Sequence, residues 1–301
     1  MKKLFSIVIA LPALLLALPS HAAVNVLACE PEWASLAAEI GGDKVRATSA
    51  TTALQDPHRI EARPSLIART RNADLLVCTG LELEAGWLPI LRQQSGNPKI
   101  EPGQPGYLEA GLLVPRLDVP TRLDRAEGDV HAAGNPHIQQ DPRNIAKVAD
   151  ALAQRLAQID HANAAYYQAR YKDFSARWNA ALLKWEKQGA PLKGMAVVEH
   201  HKNMEYLLNW LGMHSVATLE PKPGVEPSAA HLAQLVDQLQ RQPAKMALRA
   251  AYQDGRASQW LAEHAHVKAV MLPFTVGGDE QAKDLFSLFD DTVQRLLEGA
   301  K

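Results

Sequence analysis

Asp56-Pro57-His58 and Asn135-Pro136-His137 repeat one local pattern, a histidine set immediately after a proline. Imidazole binds divalent transition metals through a ring nitrogen, and a side chain that is already restrained loses little entropy on capture. Proline holds its own φ near one value and biases the residue before it toward extended backbone, so each histidine leaves a stiff turn. Two such histidines predict metal capture. The competing reading is that Asp-Pro and Asn-Pro are ordinary turn openers with exposed imidazoles. Two further segments bear on the choice. Glu199-His200-His201 follows an apolar β-type run ending at Val198, and His201 stands before a helix with the apolar face Met204, Leu207, Leu208 and Leu211. His201 is therefore expected to point inward, with His200 facing away or packing. Gly277-Gly278-Asp279-Glu280 lies between a strand at Lys268–Leu272 and the last helix. Asp is a favoured helix cap and Glu suits a first turn; the functional alternative is that one of these carboxylates completes a metal shell.

His58, His137, His201 and Asp279, with Glu280 in reserve, make three imidazoles and one carboxylate, a four-coordinate set suited to Zn2+. A manganese site would more often offer further carboxylates than a third histidine. His161, His214, His231, His264 and His266 lack matching partners and are read as surface or core residues. His131 differs, because it lies in a glycine-flanked loop shortly before His137. It is a second reserve, as an extra ligand or a handover group.

These residues need a frame. From Asn25 onward short β-type runs alternate with helical stretches, which predicts an α/β fold with parallel strands. Strands are expected at Asn25–Ala28, Lys44–Thr48 and Leu75–Cys78, with helices from Pro31, from Pro64 and over Glu84–Gln94. Residues 95–142 are rich in proline and glycine and read as loop with one short strand at most. Pro142 to Gln188 reads as helix with a break near Asp160-His161, and its aromatic residues, among them Phe174, Trp178 and Trp185, recur at helical spacing and are expected to pack. After Gly189 the alternation resumes, ending in a helix over Gln281–Leu297. The domains are therefore a first lobe at 23–141, a linking spine helix at 142–189 and a second lobe at 190–301. Open α/β sheets place ligands beyond the carboxyl ends of their strands, so the metal site belongs in the cleft between the two lobes.

The ends and the composition narrow the setting. Met1-Lys2-Lys3 followed by the apolar run Leu4 to Leu18 reads as a secretory signal peptide cleaved after Ala22, and no later stop-transfer segment is visible. The mature chain is expected in the periplasm as a monomer. With 32 Lys and Arg against 33 Asp and Glu, scattered along the chain, no electrostatic footprint for nucleic acid exists. The two cysteines, Cys29 and Cys78, each end a predicted strand and would face an oxidising compartment. If those strands are neighbours in a parallel sheet, a disulfide is within reach; a soft metal pair is the alternative.

Several of these segments resemble the solute-binding proteins of zinc and manganese ABC importers, the cluster A-I or cluster 9 family, and most of all its periplasmic zinc-binding members. The resemblance is carried by Asp56-Pro57-His58 with Pro64-Ser65, Ala73-Asp74-Leu75-Leu76-Val77, Gly80-Leu81-Glu82-Leu83-Glu84, Asn135-Pro136-His137 with Asp141-Pro142, His201 with Tyr206, and Gly224-Val225-Glu226-Pro227-Ser228. It implies two α/β lobes, a rigid linking helix, and Zn2+ held by His58, His137, His201 and a carboxylate of the Asp279-Glu280 pair. It also implies delivery of the ion to a membrane permease, with a periplasmic metallochaperone as a further partner. Gln139 stands where the family commonly has an aromatic, no His-rich acidic insertion follows the first lobe, and the final carboxylate segment is offset in spacing. A manganese- or iron-binding member is the nearest alternative function. A periplasmic zinc hydrolase, with Glu199 or Glu280 as base, is a more distant one, since no His-Glu-x-x-His segment is present.

Overall fold

The computed structural model describes residues 22–122, 128 and 130–301. The leader segment read at 1–22 lies outside the described residues except for Ala22. The first lobe runs β1 (Val24–Ala28), α1 (Pro31–Gly41), β2 (Val45–Ser49), α2 (Pro64–Arg71), β3 (Leu75–Cys78), α3 (Leu88–Ser95) and β4 (Tyr107–Glu109). Each of its three helices carries proline in the first turn, where a missing N–H leaves no helical hydrogen bond unmade. Two helices follow, α4 (Pro142–Ile159) and α5 (Ala164–Gly189). The second lobe runs β5 (Ala196–Glu199), α6 (Glu205–Leu211), β6 (His214–Thr218), α7 (Ala229–Arg241), β7 (Met246–Ala250), α8 (Arg256–Ala265), β8 (Lys268–Leu272) and α9 (Leu285–Ala300).

Both sheets are parallel throughout and repeat one topology, β2-β1-β3-β4 in the first lobe and β6-β5-β7-β8 in the second. In each lobe the chain leaves its first strand to one side and returns on the other. The carboxyl end between the first and third strands is thus a switch point, where an open sheet leaves room for a ligand. The inner strands are buried along their length, as parallel strands covered by helices on both faces must be.

The helical stretch at 142–189 is two helices, of which the 26-residue α5 is the long helix between the lobes and α4 folds back along it. The chain breaks at Asp160, whose carboxylate accepts from Asn163 Nδ2 at 2.7 Å and from the Tyr167 hydroxyl at 2.8 Å. The two helices then run antiparallel, so that Trp178 Nε1 of α5 donates to the carbonyl of Pro142 at the start of α4. Tyr167, Phe174, Trp178 and Trp185 are buried, and the two tryptophans pack on Phe286 and Phe289 of α9 with ring centroids as close as 5.0 Å. These aromatics belong to one core cluster that takes in residues of β1, α1, α4, α5, α6 and α9. A continuous core means that the lobes move apart only at the cost of exposing packed aromatic surface.

Two helices begin later than the apolar periodicity alone suggests. The helix expected from Glu84 starts at Leu88, because the Glu84 carboxylate turns back to accept from the backbone N–H groups of Thr79 and Gly80 at 2.8 and 3.0 Å. The helix expected from Gln281 starts at Leu285, where Asp284 and Ser287 form a reciprocal capping box. Cys29 and Cys78 follow the paired residues Ala28 and Val77 of β1 and β3, and they are joined in a disulfide with their Cα atoms 4.7 Å apart. No helix among the described residues is long and apolar enough to cross a membrane.

Candidate metal centre

His58 lies on the loop after β2, His137 on the segment before α4, and His201 on the turn after β5. One donor nitrogen from each of these three rings lies within 4.8 Å of the other two. The cluster straddles the lobes, and His137 and His201 are 1% and 7% exposed.

The repeated Asx-Pro-His segments reach this point by one mechanism. Asp56 Oδ1 accepts from the backbone N–H of His58 at 3.0 Å and lies 2.7 Å from its Nδ1. Asn135 Oδ1 does the same for His137, at 3.0 and 2.9 Å. One side-chain oxygen therefore closes the turn and orients the ring together, while the proline holds the backbone between them. Trp87 Nε1 pins the first turn by donating to the Pro57 carbonyl at 2.9 Å. The second turn is tied to the other lobe, since Asn135 Nδ2 donates to the carbonyl of Lys202 at 2.8 Å and the Tyr206 hydroxyl bonds the Asn135 carbonyl at 3.1 Å.

His201 obtains its support from a distance. Glu220, just beyond β6, places Oε2 2.7 Å from His201 Nδ1 and accepts from the Gly224 N–H with the same oxygen at 2.9 Å. In the turn before α6, Glu199 accepts from the Met204 N–H at 2.9 Å and fixes the chain around His201. All three imidazoles thus have Nδ1 taken by an acceptor, which leaves Nε2 as the inward donor. For His58 and His137 that atom is buried with no hydrogen-bond partner. Two unpaired buried nitrogens side by side are costly, and a cation is the kind of partner that would satisfy both. Burial first, and then the neighbouring His58, His201 and His131 rings, push the His137 imidazole well below its usual range, so it is a neutral donor. Burial alone would raise the Asp56 carboxyl, but its hydrogen bond and charge interaction with His58 hold it below the usual value.

The carboxylate expected as fourth ligand is placed elsewhere. Asp279 Oδ1 accepts from the N–H groups of Gln281 and Ala282 at 2.9 and 2.8 Å, and Oδ2 pairs with Arg295 of α9. An aspartate so occupied serves the turn and the ion pair, and the structure does not bring it to the three imidazoles. Glu280 is exposed. Phe274, from the same strand-to-helix connection, is what reaches the cluster, with its ring 5.9 Å from that of His137. Of the reserve residues, His131 comes near: its ring stacks on His58 at 5.4 Å and stands 6.5 Å from His137. Its loop is anchored where the Ala132 N–H donates to Glu82. Reading the sequence for ligands missed Glu220 and the bonding role of Asp56 and Asn135. The asparagine and aspartate were visible two residues before each histidine, whereas nothing local to Glu220 marks it.

Fold and site together define a two-lobed shell with three convergent imidazoles at its seam. The family described as zinc-uptake complex component A, periplasmic (ZnuA) matches residues 26–299, and the chain belongs to this family of metal ABC transporter solute-binding proteins. Among relatives, the manganese ABC transporter substrate-binding lipoprotein PsaA of Streptococcus anginosus is 22% identical over 92% of this chain and 89% of its own length. The high-affinity zinc uptake system protein ZnuA of Bacillus subtilis is 22% identical over 82% of this chain and 76% of its own. The substrate-binding lipoprotein ScbA of Streptococcus cristatus is 27% identical, but this chain spans about half, 48%, of that relative's length. A crystal structure of ZnuA superposes with a TM-score of 0.77 at 23% identity, covering 93% of this chain and all of that one. A manganese-bound periplasmic metal-binding protein from Candidatus Liberibacter asiaticus gives 0.75 at 17% identity, with 92% of this chain and all of that one covered. At these identities the structures share the fold.

Proposed function

We propose that this chain captures Zn2+ in the periplasm through His58, His137 and His201 and delivers it to the permease of an ABC importer. The observation that carries the reading is the set of three imidazoles, each with Nδ1 held by an acceptor and Nε2 turned inward. Three imidazole nitrogens suit zinc better than manganese, which favours carboxylate and water oxygen. His131, whose ring stacks on that of His58, stays in reserve as a fourth ligand outside the convergent three. A manganese cargo is the second reading, favoured by the manganese-named relative that spans most of the chain. Against it stands the absence of any carboxylate from the inward donors of the three-residue cluster. A hydrolytic role is the weaker reading, since one oxygen of Glu199 accepts from the Met204 N–H and Glu280 is exposed.

The test is calorimetry on the stripped mature chain with Zn2+ and Mn2+ in competition, repeated on His58→Ala, His137→Ala and His201→Ala. One tight equivalent of zinc, displaced by manganese only in large excess, is expected, with affinity reduced by orders of magnitude in each variant. Tight manganese binding that zinc fails to displace would transfer the assignment to the second reading, and wild-type affinity in the variants would end it. Docking on the permease, or on a metallochaperone that fills the site, would be read from complex formation by the zinc-loaded chain.

A further inference from the structure

A cavity of about 300 Å3 opens beside the imidazole cluster, with His58, His201, Asp56, Glu220, Glu226 and Asp254 among its walls. A second space of about 540 Å3 adjoins it, and His200, Glu226 and Asp254 line both. His200 is 5% exposed, and its Nδ1 is buried with no hydrogen-bond partner. An imidazole nitrogen left unpaired in such a position can take a donor group or a cation. The charges decide between these. Asp56 and Glu220 are held by the Nδ1 atoms of His58 and His201, and Asp254 pairs with Arg256 at 2.6 Å. Arg59 is the cationic residue on the wall of the smaller cavity. Glu226 is exposed and, among the carboxylates lining both spaces with His200, is the one not paired with Arg256.

We propose that His200 and Glu226 form a second, weaker divalent-cation site, at which the ion halts before passing to His201 and His58. Resting on the zinc reading above for its cargo, this site explains why two consecutive histidines stand at the end of β5. A cation entering a shell of nitrogen ligands must shed water, and a partial shell one residue away lets ligands exchange stepwise. The acidic walls raise the local cation concentration and the rate of encounter. Two protein ligands bind more weakly than three, so the ion moves inward down an affinity gradient.

Zn2+ is titrated into the stripped full-length mature chain while the ring nitrogens are followed by NMR, and loading is timed by stopped flow against a chromophoric chelator. A tight first equivalent and a weaker second one are expected, with His200 Nδ1 shifting in step with the second. His200→Gln should lose the second equivalent and load on the order of tenfold more slowly. Because His200 is buried, the exposed substitution Glu226→Gln is measured beside it, with melting curves for both, and should weaken the second equivalent and slow loading in the same direction. A parent chain with no tight first equivalent would sink the zinc reading itself. A tight first equivalent with no second one at His200, or with loading rates unchanged in both variants, overturns the outer site alone.

Discussion

Replacing Glu220 by alanine should weaken zinc binding by roughly ten- to a hundredfold without removing any ligand atom. The Glu220 carboxylate stands 2.7 Å from His201 Nδ1, and the two side chains are 14% and 9% exposed, so their hydrogen bond is screened little. A hydrogen bond to a charged group in such surroundings contributes about 1.5–3 kcal/mol. Part of that acts through the metal, because an imidazole whose Nδ1–H is held by a carboxylate is a better oriented and more basic donor at Nε2. At about 1.4 kcal/mol per factor of ten, the loss corresponds to one or two orders of magnitude in Kd. Glu220→Gln separates the two contributions, since its amide oxygen still accepts from Nδ1–H but carries no charge; it should fall between the wild type and the alanine variant. Asp56→Ala should lie at the low end of the same range, because the Asp56 side chain is 40% exposed and solvent weakens its hold on His58. Competition with a chromophoric chelator at fixed pH and salt measures all three. Should Glu220→Ala bind within about twofold of the wild type while melting at the same temperature, the account of His201 as an oriented Nε2 donor is wrong.

The remaining expectations concern Asp279, the disulfide and the buried acids. Asp279→Ala removes two turn hydrogen bonds and the Arg295 pair, so calorimetry should find a melting point lowered by a few degrees, about 1–2 kcal/mol, with zinc affinity retained; a large loss of affinity would return Asp279 to the ligand set. Reducing Cys29–Cys78 frees a sequence separation of 49 residues, which the chain-entropy treatment values at about 4 kcal/mol, visible as a lower urea midpoint in a reductant. Burial above all raises the Glu84 carboxyl from 4.5 to about 7, so between those values the folded chain binds more protons at this group than the unfolded chain does. Its contribution to stability is therefore full below about pH 4.5 and is lost as pH rises to about 7, by at most about 3 kcal/mol. Relative to Glu84→Gln, the apo wild type should lose stability across that window; a difference between the two chains that is flat with pH would refute the buried-acid reading.

Much of the fold was legible because its signals are local. Apolar runs of four or five residues set between helices with proline starts specify buried parallel strands, and the placement of Cys29 and Cys78 at two strand ends anticipated their pairing. The break at Asp160 could be read from its neighbourhood, but the antiparallel fold-back of α4 on α5 could not. It depends on contacts such as Trp178 to Pro142, 36 residues apart. The helix starts at Leu88 and Leu285 escaped for a related reason, since the Glu84 carboxylate turns back onto the N–H groups of Thr79 and Gly80, and Asp279 takes the N–H groups of Gln281 and Ala282 that helical periodicity would assign to a first turn.

The same division runs through the metal centre. Asx-Pro-His is complete within three residues: oxygen, proline and imidazole close on one another wherever the segment lies, so the sequence by itself determined two oriented imidazoles. Whether they face a third ring, and what stands behind that ring, was left to tertiary structure. His201 and Glu220 are 19 residues apart and meet because β5 and β6 are adjacent parallel strands whose carboxyl ends lie together. Asp279 carries the same chemistry as Asp56, yet α9 brings Arg295 to it, 16 residues on, before any imidazole. A carboxylate attracts either partner, and its charge does not say which; only the packing of the helix beside it decides.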